Sequence, residues 1–64
     1  MLGKYLKKYR LDNNMTQSEM AERLNTSQSY YSLIENGKYK PGIEMIKRIS
    51  NELKLEPSFV RNLL

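Results

Sequence analysis

Residues 16–41 read TQSEMAERLNTSQSYYSLIENGKYKP, and two helix starts sit inside this one stretch. Thr16-Gln17-Ser18-Glu19 has the form of a capping box. The Thr16 hydroxyl can accept from the Glu19 N–H, and the Glu19 carboxylate can reach back to the Thr16 N–H. Met20, Ala21 and Leu24 then fall on one helical face. Asn25-Thr26-Ser27 is turn-forming, and Asn tolerates the left-handed conformation that closes a helix. Ser27 can cap a second helix, in which Tyr31 and Ile34 face inward. Asn36-Gly37 ends that helix with a pair able to take positive φ. The stretch therefore predicts helices over 17–24 and 28–36 joined by a tight turn, a helix-turn-helix.

Working outward, residues 2–13 predict a helix with Leu2, Leu6 and Tyr9 on one stripe and Tyr5 beside it. Arg10 lies at the edge of that stripe, close enough to the interior to need a partner. Asn13-Asn14 closes the helix and Met15 returns to the core. After the motif, Lys38 to Gly42 is a loop, and Pro41 disfavours helix at Lys40. Residues 43–54 predict a fourth helix with Ile43, Ile46, Ile49 and Leu53 inward and Met45 flanking. Lys54 stands where a Gly would close it more comfortably. Pro57 suits the first turn of a last helix, 57–63, with Phe59 and Leu63 inward and Val60 and Leu64 outward. The expectation is a single all-α domain of five helices without strands.

Sixty-four residues lie near the lower limit for a chain that folds alone. There is no Cys and no His, so neither a disulfide nor a thiolate or imidazole metal site is available. No cofactor is expected. The absence of Cys fits a reducing cytoplasm, no apolar run approaches the roughly 20 residues of a membrane span, and the charged first residues form no signal-peptide pattern. The formal net charge is +4, from 11 basic and 7 acidic residues, which favours a polyanionic partner only weakly. Position is more informative: Lys4, Lys7, Lys8 and Arg10 crowd the first helix, and Lys38 and Lys40 flank Tyr39 just after the motif.

The order of elements and the string Thr-Gln-x-x-x-Ala…Ser-Gln…Ile-Glu-Asn-Gly-Lys…Pro resemble the phage repressor and Cro helix-turn-helix family, the Xre family. The resemblance runs from about Leu2 to Phe59. It implies a compact five-helix, lambda-repressor-like DNA-binding domain whose second motif helix enters the major groove, and dimers on operators. Gln17 matches the residue that opens the first motif helix and touches a backbone phosphate. Gln28 matches the first reading residue of the recognition helix. Arg10 and Glu35 match a pair that forms a partly buried salt bridge. Two positions depart from the family pattern: Asn25 replaces a frequent Gly in the turn, and Gly42 replaces a frequent capping Ser before the fourth helix.

The residues of the motif support the same reading independently. With Tyr31 and Ile34 buried, the opposite face of the second motif helix carries Ser29, Ser32, Leu33 and Asn36, with Gln28 and Tyr30 at its edges. Gln can pair with adenine N6 and N7, Ser with either base type, and Leu with a thymine methyl. Gln28, Ser29, Ser32 and Leu33 are thus candidate base-reading residues. Ordinary polar surface is the alternative for Gln28 and Ser29, and a packing or dimer contact for Leu33; Tyr30 could stack on sugar-phosphate or simply cover the core edge. Asn36, Lys38, Tyr39 and Lys40 can donate to phosphate oxygens, and Gln17 and Ser18 sit where free helix N–H groups favour a phosphate. Tyr39 could instead simply cover the fourth helix.

Arg10 and Glu35 read as structural, since nothing in the chain offers a nucleophile–base pair and no catalytic residue is expected. The reading is a sequence-specific double-stranded DNA-binding regulator of repressor type. A weak homodimer on a palindromic operator is expected, with Val60 and Leu64 as candidate contacts; the alternative is that both fold back onto the first helix. The rival is a protein-interaction module of the same fold, antitoxin-like or anti-repressor. The neutral, polar face and the adjacent basic loop favour DNA.

Overall fold

The computed structural model describes residues 1–64 and contains five helices and no strand. They are α1 (Leu2–Asp12), α2 (Gln17–Arg23), α3 (Gln28–Glu35), α4 (Ile43–Leu53) and α5 (Pro57–Asn62). Each ends one residue before its expected boundary. In every case that residue is the C-cap: Asn13, Leu24, Asn36, Lys54 and Leu63. No helix of the chain is long and apolar enough to cross a membrane.

The local signals act as read. Thr16 Oγ1 accepts from the Glu19 N–H at 3.0 Å, and the Thr16 N–H donates to Glu19 Oε1 at 2.8 Å. Ser27 Oγ accepts from the Tyr30 N–H and starts α3. Gly42 begins α4 with no side-chain cap, as its missing hydroxyl requires. Asn14, Asn25 and Lys54 all take φ between 55° and 58°, and Gly37 takes 73°. Asn25 therefore supplies the left-handed turn that a Gly would supply more easily. Lys54 does the same after α4, with the Cβ strain that this conformation carries.

Leu6, Met20, Leu24, Tyr31, Ile49 and Val60 are the largest fully buried side chains, and every helix contributes to this core. Two approaches set the frame. Gly3 packs so closely on the end of α3 that a Cβ there would lie 2.1 Å from the Glu35 carbonyl oxygen. The Leu2 N–H donates to the Leu63 carbonyl at 2.9 Å, which joins the start of α1 to the end of α5.

Three burial expectations are corrected. Val60 is fully buried, whereas Phe59 is 42% exposed and rests edge-on against Tyr5 at 5.8 Å. Val60 and Leu63 point inward in place of Phe59 and Leu63. Spacings of three and four residues are both helical, and a helix of six residues is too short for the pattern to choose. Ile43 is 68% exposed, while Met45 is buried. The buried stripe of α4 centres on Met45, Ile46, Ile49 and Leu53. Ile43 lies about 105° from that centre, at the first position of the helix, where no preceding turn covers it.

Candidate nucleic-acid interface

The capping box aims the start of α2 outward, and the turn at Asn25 brings α3 across it. Arg48 of α4 holds that turn. Its Nη1 donates to the carbonyls of Leu24 and Asn25 at 3.3 and 3.2 Å, two groups that the end of α2 leaves without helical partners. Ser18, Glu22, Asn25, Thr26 and Gln28 line a shallow groove between α2 and the start of α3.

Gln28 and Ser29 are exposed in the first turn of α3. One turn on, Leu33 is 43% exposed and Ser32 is half-buried, its hydroxyl accepting from Asn36 Nδ2 at 3.3 Å. The outward face of α3 thus carries amide, hydroxyl and one apolar side chain, with no charge. Asn36, Lys38, Tyr39 and Lys40 are exposed beyond its end, and Ser18 is exposed at the start of α2. The structure therefore places these side chains along the α2–α3 face and the loop that follows it.

Behind that face lies a polar cluster that joins three helices. The Glu35 side chain is 3% exposed and that of Arg10 is 12% exposed, so the carboxylate is buried and the guanidinium largely so. Arg10 Nε donates to Glu35 Oε2 and Arg10 Nη2 to Glu35 Oε1, both at 3.0 Å, in the two-pronged geometry that a guanidinium offers a carboxylate. Arg10 Nη1 donates to the Met15 carbonyl at 3.0 Å. Glu35 also accepts from the Tyr31 hydroxyl, and from Gln17 Nε2 at 3.1 Å. Four donors occupy the acceptor capacity of one carboxylate. No buried side-chain nitrogen or oxygen anywhere in the chain lacks a partner.

This arrangement sets the protonation of the cluster. Burial pushes the Glu35 carboxyl up, but the hydrogen bonds from Arg10, Tyr31 and Gln17 outweigh it and hold the pKa below the ordinary value. The hydrogen bond to Glu35 raises the Arg10 guanidinium further. Burial first, and then the bond to Glu35, push the Tyr31 phenol well up. Glu35 is therefore a fixed anion and Tyr31 a fixed neutral donor at neutral pH.

Several of these contacts lay outside the sequence reading. The resemblance and the free N–H groups at the start of α2 both point Gln17 at a phosphate, whereas in the structure its amide turns inward to Glu35. Periodicity marks Tyr31 only as an inward-facing anchor. Its spacing of four residues from Glu35 on one helix was a signal that its hydroxyl has a carboxylate within reach. Arg48 gave no local signal, because its acceptors lie 23 and 24 residues away. Next to Arg48 and Asn25, Glu52 accepts from the Tyr9 hydroxyl at 2.8 Å and from Arg23 Nη1 at 3.0 Å, which ties α1 and α2 to α4. Val60 is absent from the surface altogether, which corrects its selection as a dimer contact. Leu64 is 40% exposed.

The helix-turn-helix family model matches residues 6–60. The chain belongs to that family. It is 42% identical over 53 residues to an uncharacterized HTH-type transcriptional regulator of Bacillus subtilis (strain 168), YqaF, a match that covers 83% of this chain and 70% of the relative. It is 38% identical to the ImmF control region 10 kDa protein of Bacillus phage phi105, covering 86% of this chain and 61% of that one. It is 29% identical to the immunity repressor protein of the same phage, covering 92% of this chain and 41% of the repressor. No solved structure gives a significant match. The helix-turn-helix family assignment agrees with the resemblance to phage repressors and Cro that the motif carried.

Proposed function

We propose that this chain is a DNA-binding transcription regulator of repressor type that reads duplex DNA by laying α3 in the major groove. One observation carries this reading: Gln28, Ser29 and Leu33 stand exposed on the outward face of α3, with the exposed lysines 38 and 40 immediately beyond it. Gln28 reads a base edge in the first turn of α3, with Ser29, Ser32 and Leu33 alongside it. Ser18, Asn36, Lys38, Tyr39 and Lys40 hold the phosphates on either side. Gln17 joins them with the N–H that Glu35 leaves free. No step of this function needs a catalytic group or a cofactor, and its place is the cytoplasm, with the DNA.

Selection from random duplexes tests the reading, and an enriched palindrome is the expected result. Gln28→Ala then weakens binding to the selected site by about 1–3 kcal/mol and relaxes preference at one base pair. Lys38→Ala weakens all sequences alike and lowers the salt slope by about one unit. Selection without enrichment, together with an unchanged affinity in both variants, would leave the protein-interaction reading in its place.

The partner on that palindrome is a second copy of the chain. One recognition helix reads only a few base pairs, too few for a specific genomic site. Met1, Tyr39, Leu63 and Leu64 line one groove between the chain termini and the loop after α3. A two-fold contact there is small, so the dimer is weak in solution and tightens on DNA.

A further inference from the structure

Tyr30 is the one large side chain of α3 that belongs neither to the deep core nor to the outward face. It is half-buried and lines the cleft between the starts of α3 and α4 with Thr26, Gly42, Met45 and Arg48. Its ring meets that of Tyr39 edge-on, with centroids 5.3 Å apart and planes at 64°.

The loop that Tyr39 belongs to has little else to hold it. The Lys38 N–H donates to the Leu33 carbonyl at 2.9 Å, and Pro41 is buried at the far end. Between those two anchors, no backbone–backbone hydrogen bond is made by Tyr39, Lys40 or Pro41. Lys38 and Lys40 flank Tyr39 and are exposed. An aromatic pair with edge-to-face geometry is directional, so the Tyr30 ring restricts both where Tyr39 sits and how the two lysines beside it are presented. A preorganised contact loses less conformational freedom on binding than a mobile one.

We propose that Tyr30 is a positioning residue for phosphate contact: without touching DNA itself, it holds Tyr39 and thereby presents Lys38 and Lys40 to the backbone of the duplex. The proposal rests on the DNA-binding reading given above. It adds a residue of the recognition helix whose work is done through the loop and not in the groove.

The test measures binding of the whole chain to its selected duplex and to an unrelated duplex of equal length, across a range of salt. Tyr30→Leu keeps an apolar side chain on the core and removes the ring. It is expected to weaken both duplexes several-fold in equal proportion and to lower the salt slope by about one unit. Tyr30→Phe keeps the ring and is expected to retain both affinity and slope. In a Tyr39→Ala background, Tyr30→Leu is expected to add nothing.

A Tyr30→Phe variant as weak as Tyr30→Leu would overturn the proposal, since the hydroxyl would then be a direct contact. So would an equal loss from Tyr30→Leu in the presence and absence of Tyr39. If Tyr30→Leu fails to fold, Tyr39→Ala on the exposed side of the pair serves instead. It should lower backbone order at residues 38–40 in the free protein, and unchanged order would overturn the proposal. Lys38→Ala separates the two failures. If it lowers the salt slope while Tyr30→Leu does not, only the positioning role falls. If it leaves the slope unchanged, the assignment of the loop to phosphate falls with it.

Discussion

At the scale of the residue, Glu35 is the side chain on which most depends. It takes two bonds from Arg10 and one each from Tyr31 and Gln17, so a single carboxylate ties α1, α2 and α3 together. Burying such a pair recovers little net energy, but removing one partner strands the other charge. Glu35→Ala is expected to cost roughly 3 kcal/mol, a large share of the stability of so small a domain. The urea midpoint reads this directly, and an unchanged midpoint would mean the pair is solvated. The same cluster predicts pH dependence at both extremes. The Glu35 pKa is lowered in the fold, so the unfolded chain binds more protons as the pH falls. Its stabilisation is complete above the ordinary value of 4.5 and is lost as the pH drops through the folded value. The Tyr31 pKa is raised, so the folded chain retains its proton longer, and stability declines as the pH rises past 10.0. Thermal unfolding across pH should show both flanks. Tyr31→Phe should remove the Tyr31 contribution to the alkaline one, leaving what Tyr9, also raised by its bond to Glu52, contributes.

At the scale of the element, the decisive contact is the seat of α1 on the end of α3. Gly3 is there for space and not for backbone freedom: an added Cβ would meet the Glu35 carbonyl oxygen at 2.1 Å, and backbone cannot swing aside as a side-chain end can. Gly3→Ala must push α1 away and disturb the Arg10–Glu35 geometry at the other end of the helix. A loss of about 1–3 kcal/mol is expected, as for overpacking in other cores. Gly42 provides the contrast. It caps α4 with nothing within 4 Å of a Cβ, and its extended backbone suits any residue. Gly42→Ser supplies the missing cap and should stabilise by a few tenths of a kcal/mol. Melting temperatures of the two variants should move in opposite directions, and a Gly3→Ala protein as stable as the parent would show that the helices separate freely.

At the scale of the whole molecule, the proposed dimer depends on which side of α5 faces out. Val60 lies in the core, so Val60→Glu is a folding mutation and says nothing about association. Leu64 is partly exposed in the groove that Met1, Tyr39 and Leu63 share. Leu64→Glu is expected to keep normal helicity, bind half-sites weakly and lose cooperativity on a palindrome with half-sites about 34 Å apart. Sedimentation and titration on full and half operators check this. Cooperativity retained by Leu64→Glu would move the contact to another face, and the exposed Tyr5–Phe59 pair would be the next surface to test.

The helices, their caps and their turns were legible in the sequence because each depends on a few adjacent residues. Thr16 with Glu19, and Ser27, act on backbone groups three residues away, while Asn25 and Pro57 act through their own φ angles, and such signals survive without knowledge of the fold. The outward face of α3 was legible for a related reason: two buried anchors, Tyr31 and Ile34, orient a helix of eight residues. The pairing of Arg10 with Glu35 came from the resemblance, since the two lie 25 residues apart. The rest was decided only when the helices met. Phe59 and Val60 are adjacent apolar residues on a helix of six, and the bond between Leu2 and Leu63 helps set which of them enters the core. Gly3 looked like any small residue until α3 was laid against it. Burial, close approach and the filling of one carboxylate by four donors are properties of elements in contact. Periodicity along a single chain can nominate the faces, but only packing in three dimensions selects which of them close on each other.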